Sequence, residues 1–308
     1  MTLEQLRIFV AVAQDEHMTR AARSLNLTQS AVSAGIAALE ARHDVRLFHR
    51  VGRGIQLTEA GRIFLDEARG VLARAATAEQ ALAEIGGLSR GRLRVVASQT
   101  VAGYWLPRHL AAFRLRHPLI SVDLAIGNTG EVARAVHDGE AELGFCEGVV
   151  DDPALAHWPV DEDRMLLVGD HAAPGPIDVA WLRGAAWVQR EPGSGTRSTL
   201  EAALQALGVD ATALQTSLVL PSNEAVRAAV EAGAGVAALS ESVVAASIAT
   251  GALHRLPFEL PPRPFYGLRH KERYRSRAAD ALLVLIEDAL TEGRHTAEPE
   301  TEELSLQG

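Results

Sequence analysis

The chain has 308 residues, 47% of them hydrophobic, a formal charge of -9 and one cysteine, Cys146. This length exceeds what one core usually serves, so two or three domains are expected; a lone cysteine excludes an internal disulfide, a two-cysteine redox switch and a cysteine-cluster metal site. No apolar run reaches the roughly 20 residues of a bilayer span, and the start, with Glu4 early, lacks the basic-then-apolar order of a secretory signal. A cytoplasmic chain with no membrane partner is therefore expected.

From the N-terminus, Leu6, Phe9, Val10 and Ala13 recur at helical spacing and predict a helix over roughly Leu3 to Gln14. A second helix is expected to start at Thr19 as its N-cap and to end at Asn26, which tolerates a left-handed conformation. Thr28 then caps a third helix in which Val32, Ile36 and Leu39 share the inward face, while Gln29, Ser33 and Ala37 point away. Two strand-like pieces, Arg46 to His49 and Ile55 to Leu57, surround a turn at Gly52 to Gly54 and predict a small basic wing. Thr58 can cap a long helix to about Ile85. Its heptad seam of Phe64, Ala68, Val71, Ala75, Ala78, Leu82 and Ile85 implies pairing with a second copy.

The negative total charge is a poor guide to partners, because charge acts regionally. Acidic residues concentrate in "EPETEEL" near the C-terminus, whereas Arg42, Arg46, Arg50, Arg53 and Arg62 give the N-terminal part a local basic excess suited to phosphates. Helix, polar turn, second helix and basic wing match the winged helix-turn-helix mode, in which the second helix enters the major groove of double-stranded DNA. Thr28, Gln29, Ser30, Ser33 and Ala34 would then face the bases or adjacent phosphates. Gln29 can bond adenine through two contacts and Ala34 can touch a thymine methyl, while Arg50 and Arg53 bind phosphates or the narrow minor groove.

From Arg92 onward, strand-like "RLRVVAS", "LISVDLAIG" and "AELGFCEG" alternate with helical segments, and the rhythm restarts at "RMLLVGD". This predicts a largely parallel α/β architecture of two subdomains, crossed twice by the chain, with a ligand cleft between them. Polar groups follow several strands: Ser98, Gln99 and Thr100; Asn128 and Thr129; Gly195, Thr196 and Arg197 within "REPGSGTRST"; Asn223 and Glu224 within "SNEA". Helix starts after strands expose free N–H groups to anions, and Arg197 would add a fixed charge. Glu147 and Glu224 oppose this unless paired; they would bond a hydroxyl or amine of the ligand, or pair with Arg190 or Arg197. Cys146 reads as buried packing. "GSGTRS" is neither a nucleophile elbow nor a phosphate loop, and no cofactor or metal site is expected.

The segment "AARSLNLTQSAVSAGIAALEARHDVRLFHRVGRGIQLTEAG" resembles the N-terminal domain of LysR-type transcriptional regulators, and the similarity of architecture extends to the last helix. The resemblance implies an N-terminal all-α winged helix-turn-helix (1–58), a dimerising linker helix (59–88) and a periplasmic-binding-protein-like α/β effector domain (89–292). Its subdomain I covers about 89–161 and 267–292, subdomain II about 162–266, and residues 293–308 form an acidic disordered tail. It further implies a homotetramer built from linker-helix dimers, promoter DNA and RNA polymerase as partners, and an effector cleft lined by Ser98, Thr100, Thr129 and Thr196. Ser30 and Ala34 depart from the proline and arginine common in the family. The series "SQT…GNT…EG…EPGSGTR…SNEA" is similar to regulators of carbon fixation and of sulfur and nitrogen metabolism, whose effectors are often anionic. An enzyme using the same cleft, with a fused DNA-binding domain, is the alternative.

Overall fold

A computed structural model describes the backbone of residues 1–52, 54–85, 91–148, 150–173 and 175–297, and their side chains apart from 80, 83–85 and 292–297. Arg53, Ile85's side chain and residues 298–308 of the expected tail lie outside the described residues. The chain divides into two compact units, broadly residues 1–86 and 87 onward.

The first unit begins with α1 (Leu3–Asp15), closed at its start by a capping box in which Thr2 and Gln5 exchange bonds. α2 (Met18–Ser24) starts one residue before the expected cap: the His17 ring, not Thr19, accepts from the Thr19 backbone N–H at 3.2 Å. Asn26 takes a left-handed φ of 55°, and the Thr28 hydroxyl accepts from Ala31 N–H to start α3 (Gln29–His43). Leu6, Phe9, Val12, Ala21, Val32, Ile36 and Leu39 form one buried core.

The wing consists of β1 (Phe48–Val51) and β2 (Gly54–Leu57), antiparallel and displaced toward the C-terminus from the expected first strand. Its base is held by Glu40 of α3, whose Oε1 accepts from the backbone N–H of Leu47 at 2.7 Å and Phe48 at 3.2 Å. α4 (Glu59–Ile85) follows, capped by Thr58. Phe64 and Ala68 of the expected seam pack into their own unit's core instead. Farther along the expected seam, Val71 is 42% and Leu82 71% exposed.

The second unit contains a five-stranded sheet of order β4-β3-β5-β12-β6. Its parallel part is β3 (Gly91–Ser98), β4 (Ile120–Gly127) and β5 (Leu143–Glu147). Between them lie a π-helical turn at Val101–Trp105, α5 (Leu106–Arg116) and α6 (Thr129–Asp138). β6 (Leu155–Asp163) then leads into the other half, where β7 (Met165–Gly169), α7 (Val179–Gly184), β8 (Ala186–Arg190), α8 (Gly195–Ala206), β9 (Gln215–Leu220), α9 (Asn223–Glu231), β10 (Ala237–Ser240), α10 (Glu241–Ala249) and β11 (His254–Glu259) follow. β7 pairs antiparallel with β10 and β11, and β8 pairs parallel with β9. The chain returns through β12 (Arg263–His270), which pairs antiparallel with β5 and β6.

Because β6 extends to Asp163 and β12 starts at Arg263 in the first half's sheet, the crossovers fall after 163 and before 263. The expected limits at 161 and 267 are corrected accordingly. Separate apolar clusters, one around Phe113, Phe145 and Leu282 and another around Trp187, Leu200 and Leu204, serve the two halves. α11 (Arg277–Ala297) runs past the expected domain end at 292, so residues 293–297 of the expected disordered tail are helical.

Candidate functional site: a DNA-facing helix and a buried polar network

In the first unit, inward packing of Val32, Ile36 and Leu39 turns the remaining face of α3 outward. Gln29, Ser30, Ser33 and Ala34 are all exposed. Thr28 and Ser30 bond each other at 3.0 Å between hydroxyls, so Thr28's first task is the cap. Arg50 projects from β1 and is exposed. A polar, small-residue helix face beside a basic hairpin has the form required by a major groove and its flanking phosphates.

In the second unit, three chain segments of the larger sheet converge at its C-terminal edge. Ser98 ends β3, Thr100 opens the following turn and Glu147 ends β5. Both hydroxyls donate to the Glu147 carboxylate: Ser98 to Oε2, and Thr100 to Oε1 at 3.1 Å. Arg263, at the start of β12, reaches the same oxygen at 3.4 Å through Nη1. Its Nε and Nη2 bind Asp163 at 2.7 and 2.6 Å, in a two-point ion pair. The opposite half adds Thr196, which accepts from Arg263 Nη1 at 3.0 Å, and Asn223, whose Nδ2 donates to Thr100 at 3.0 Å. Ser240 donates to Asp163 at 2.8 Å. Every one of these residues is buried.

Other expected residues stand around this network. Gln99 clamps the start of α9, donating to Pro221 O at 2.7 Å and accepting from Asn223 N at 3.0 Å. Glu224 accepts from the Tyr104 hydroxyl at 3.4 Å, and burial, then Glu224, raise the Tyr104 pKa. Thr129 donates to the Glu147 carbonyl. Gly195 meets that carbonyl so closely that a Cβ there would stand 2.2 Å from the oxygen. A cavity of about 480 Å³ shares Thr129 with the network and is bounded by Gly130, Arg134, His137, Gly193 and Ser194.

Two expected residues do not join. Arg197 turns along its own helix, pairing with Glu201 at 2.7 Å and donating to Arg190 O at 3.3 Å. Asn128 caps α6 through Glu131 N–H at 3.0 Å and approaches Glu191 at 3.4 Å. Arg190 pairs with Glu191 at 2.8 Å and donates to Asn223, not to Glu147 or Glu224. Burial alone would raise the Glu191 pKa, but the Arg190 bond and neighbouring donors hold it below the ordinary value. The central cation is Arg263, a residue the sequence reading missed; its only signal was a charge at the head of a strand-like segment in "LPPRPF". Cys146 is fully buried, and burial, then Glu147, raise its pKa, leaving its thiol inert. Among the described residues no cluster suits a metal ion, and no helix is long and apolar enough to cross a membrane.

An exposed polar helix face with a basic hairpin, joined to a two-halved α/β unit holding a buried polar network, is the form of a ligand-responsive DNA-binding regulator. Residues 3–62 match the bacterial regulatory helix-turn-helix of the lysR family, and residues 86–291 match the LysR substrate binding domain. The chain belongs to the LysR family: it is a DNA-binding transcriptional regulator with a substrate-binding effector domain. It is similar to the HTH-type regulator YeiE of Escherichia coli K12, at 32% identity over 90% of this chain and 94% of that one. A probable RuBisCO transcriptional regulator of Trichormus variabilis is 32% identical over 91% of this chain and 86% of that one. Among solved structures, the LysR family regulator CbnR shares the fold, with a TM-score of 0.66 at 22% identity over 94% of this chain and 99% of that one.

Proposed function

We propose that this regulator acts in the cytoplasm as a dimer or tetramer, gripping an interrupted palindrome in promoter DNA and changing that grip when a small anionic metabolite enters the cleft. Gln29, Ser30, Ser33 and Ala34 read the groove, and Arg50 with Arg53 hold phosphates. Exposed Val71 and Leu82 on α4 favour self-association through the linker helix. RNA polymerase is the further partner of the DNA-bound form, and the protein carries out no catalysis.

The observation that carries the effector reading is the double engagement of Thr100. It contacts Glu147 and Arg263 of its own half and Asn223 of the other. A ligand that rearranges these bonds necessarily favours one arrangement of the halves, which is the differential affinity a switch requires. Arg263 and Arg190, both buried, supply positive charge for an anion. With the full-length protein, anionic metabolites that raise the melting temperature should also alter promoter affinity. Thr100→Val and Thr196→Val should each reduce that response while leaving ligand-free DNA affinity unchanged. A full response in both variants would remove the cleft from the switch.

A further inference from the structure

The first unit holds a charge that opposes its own partner. Glu40 stands on α3, the helix whose outer face meets DNA, where a carboxylate repels phosphates. It is nevertheless buried, 8% exposed, and its bonds are structural. Oε1 accepts from the backbone N–H of both Leu47 and Phe48, at 2.7 and 3.2 Å. Oε2 accepts from Arg46 Nη1 at 3.0 Å, and that arginine side chain is 84% exposed. One oxygen therefore carries the shielded bonds, and the other meets a solvent-screened partner of small worth.

The same short segment is held from its opposite side by the start of α4. Thr58 donates its hydroxyl to Arg46 O at 2.7 Å and its N–H to Leu47 O at 3.0 Å. Gly61 brings the two main chains so close that a Cβ there would stand 2.2 Å from the Leu47 oxygen. Donors of Leu47 and Phe48 thus go to α3, and acceptors of Arg46 and Leu47 go to α4. The wing beyond is a sheet of only two strands, and such a hairpin is marginal in water by itself. A further bond, from Ile55 N–H to Glu16 O, is longer at 3.4 Å. The angle of the wing is accordingly set at the clamp. Arg50 follows two residues after the clamped pair, and Gln29 lies at the other end of α3 from Glu40, roughly 16 Å away at 1.5 Å per residue.

We propose that Glu40 is a positioning residue for DNA recognition, fixing the wing through Oε1 at the angle that brings Arg50 to a phosphate while Gln29 lies in the groove. This role rests on the wing holding DNA, as proposed above. It is geometric: the acceptor atom and its reach matter, and the charge does not.

A duplex selected from a random pool by the wild-type full-length protein is the probe, its affinity measured across salt concentrations. Arg50→Ala should lower the salt-dependence slope by about one unit in the wild type. In Glu40→Asp the carboxylate is withdrawn by about 1.5 Å and no longer reaches both N–H groups, so adding Arg50→Ala there should change nothing further. Glu40→Gln, with its amide oxygen in the Oε1 position, should keep the wild-type slope and the full effect of Arg50→Ala. The reverse order, with Asp behaving as wild type and Gln not, would reveal a charge effect and overturn the proposal. An equal effect of Arg50→Ala in wild type and Glu40→Asp would also overturn it, while leaving the wing on the DNA. No effect of Arg50→Ala in the wild type would remove the wing from the DNA, and this role of Glu40 with it. If Glu40→Asp does not fold, Glu40→Gln decides alone: a retained Arg50 effect supports the geometric role, and a lost one overturns it.

Discussion

Replacing Arg263 with methionine keeps approximate length and removes the charge at the heart of the effector unit. Arg263, Asp163 and Glu147 are 2%, 6% and 2% exposed, so solvent cannot rescue the carboxylates left behind. Asp163 keeps only the Ser240 hydroxyl at 2.8 Å among its side-chain partners, and Glu147 keeps Ser98 and Thr100. Breaking one side of a buried ion pair costs about 3–5 kcal/mol, a large share of the roughly 5–15 kcal/mol that stabilises a typical domain. Asp163→Asn should also be costly, since it removes the closer of the guanidinium's two carboxylates and leaves it only Glu147 at 3.4 Å. Because the two residues share one interaction, the double variant should lose about 1–3 kcal/mol less than the sum of the single losses. The protein supplies its own probe: all four tryptophans, Trp105, Trp158, Trp181 and Trp187, lie in the effector unit. Urea unfolding followed by their fluorescence reports on this unit alone. Single losses below about 1 kcal/mol, or strictly additive ones, would refute the argument.

Arg50→Ala should weaken binding to every DNA sequence and lower the salt-dependence slope by about one unit, whereas Gln29→Ala should change the selected base at a cost of about 1–3 kcal/mol at that position; binding-site selection at two salt concentrations separates the two, and identical profiles would remove these roles. Glu40→Ala removes the acceptor for Leu47 and Phe48 N–H, so about 1.5–3 kcal/mol should be lost from the first unit. Limited proteolysis should then cleave at the wing, and a resistant wing would count against the anchor. His109, 2% exposed and tilted against Trp105 with ring centres 4.7 Å apart, has a pKa pushed down to about 4 by burial and then Arg108. The unfolded chain binds a proton below 6.5 that the fold refuses, so stability should fall by up to about 3 kcal/mol as pH drops from 6.5 toward 4. His109→Phe should flatten that slope in urea midpoints, and parallel curves for both proteins would show that another group is responsible.

The parts of the molecule governed by local periodicity were legible in the sequence. Val32, Ile36 and Leu39 place the face of α3 because helix geometry leaves no other solution, and Asn26 marks its turn by tolerating a positive φ. The pairing of charges was not legible, since it depends on strand ends far apart in the chain. Arg197 had a local partner one turn away in Glu201, and that i, i+4 pair turns it along its own helix. Arg263 opens a strand, and Glu259, four residues before it, pairs with Arg255; Arg263 found Asp163, one hundred residues earlier, because β6 and β12 lie side by side. Part of the seam on α4 serves its own unit. Phe64 and Ala68 satisfy a heptad, yet α1 covers them first.

Gly195 gives the cleft a mechanical limit. Its Cα sits where the carbonyl of Glu147, in the other half, leaves no room for a methyl group, and Gly148 lies just beside it. The two halves shut main chain against main chain, so the travel of the switch ends at hydrogen where most positions would stop it at carbon. An alanine here would act as a wedge in the jaw, biasing the population toward the parted state without touching the core of either half. An effector that favours closure would then have to supply the missing free energy from its own affinity.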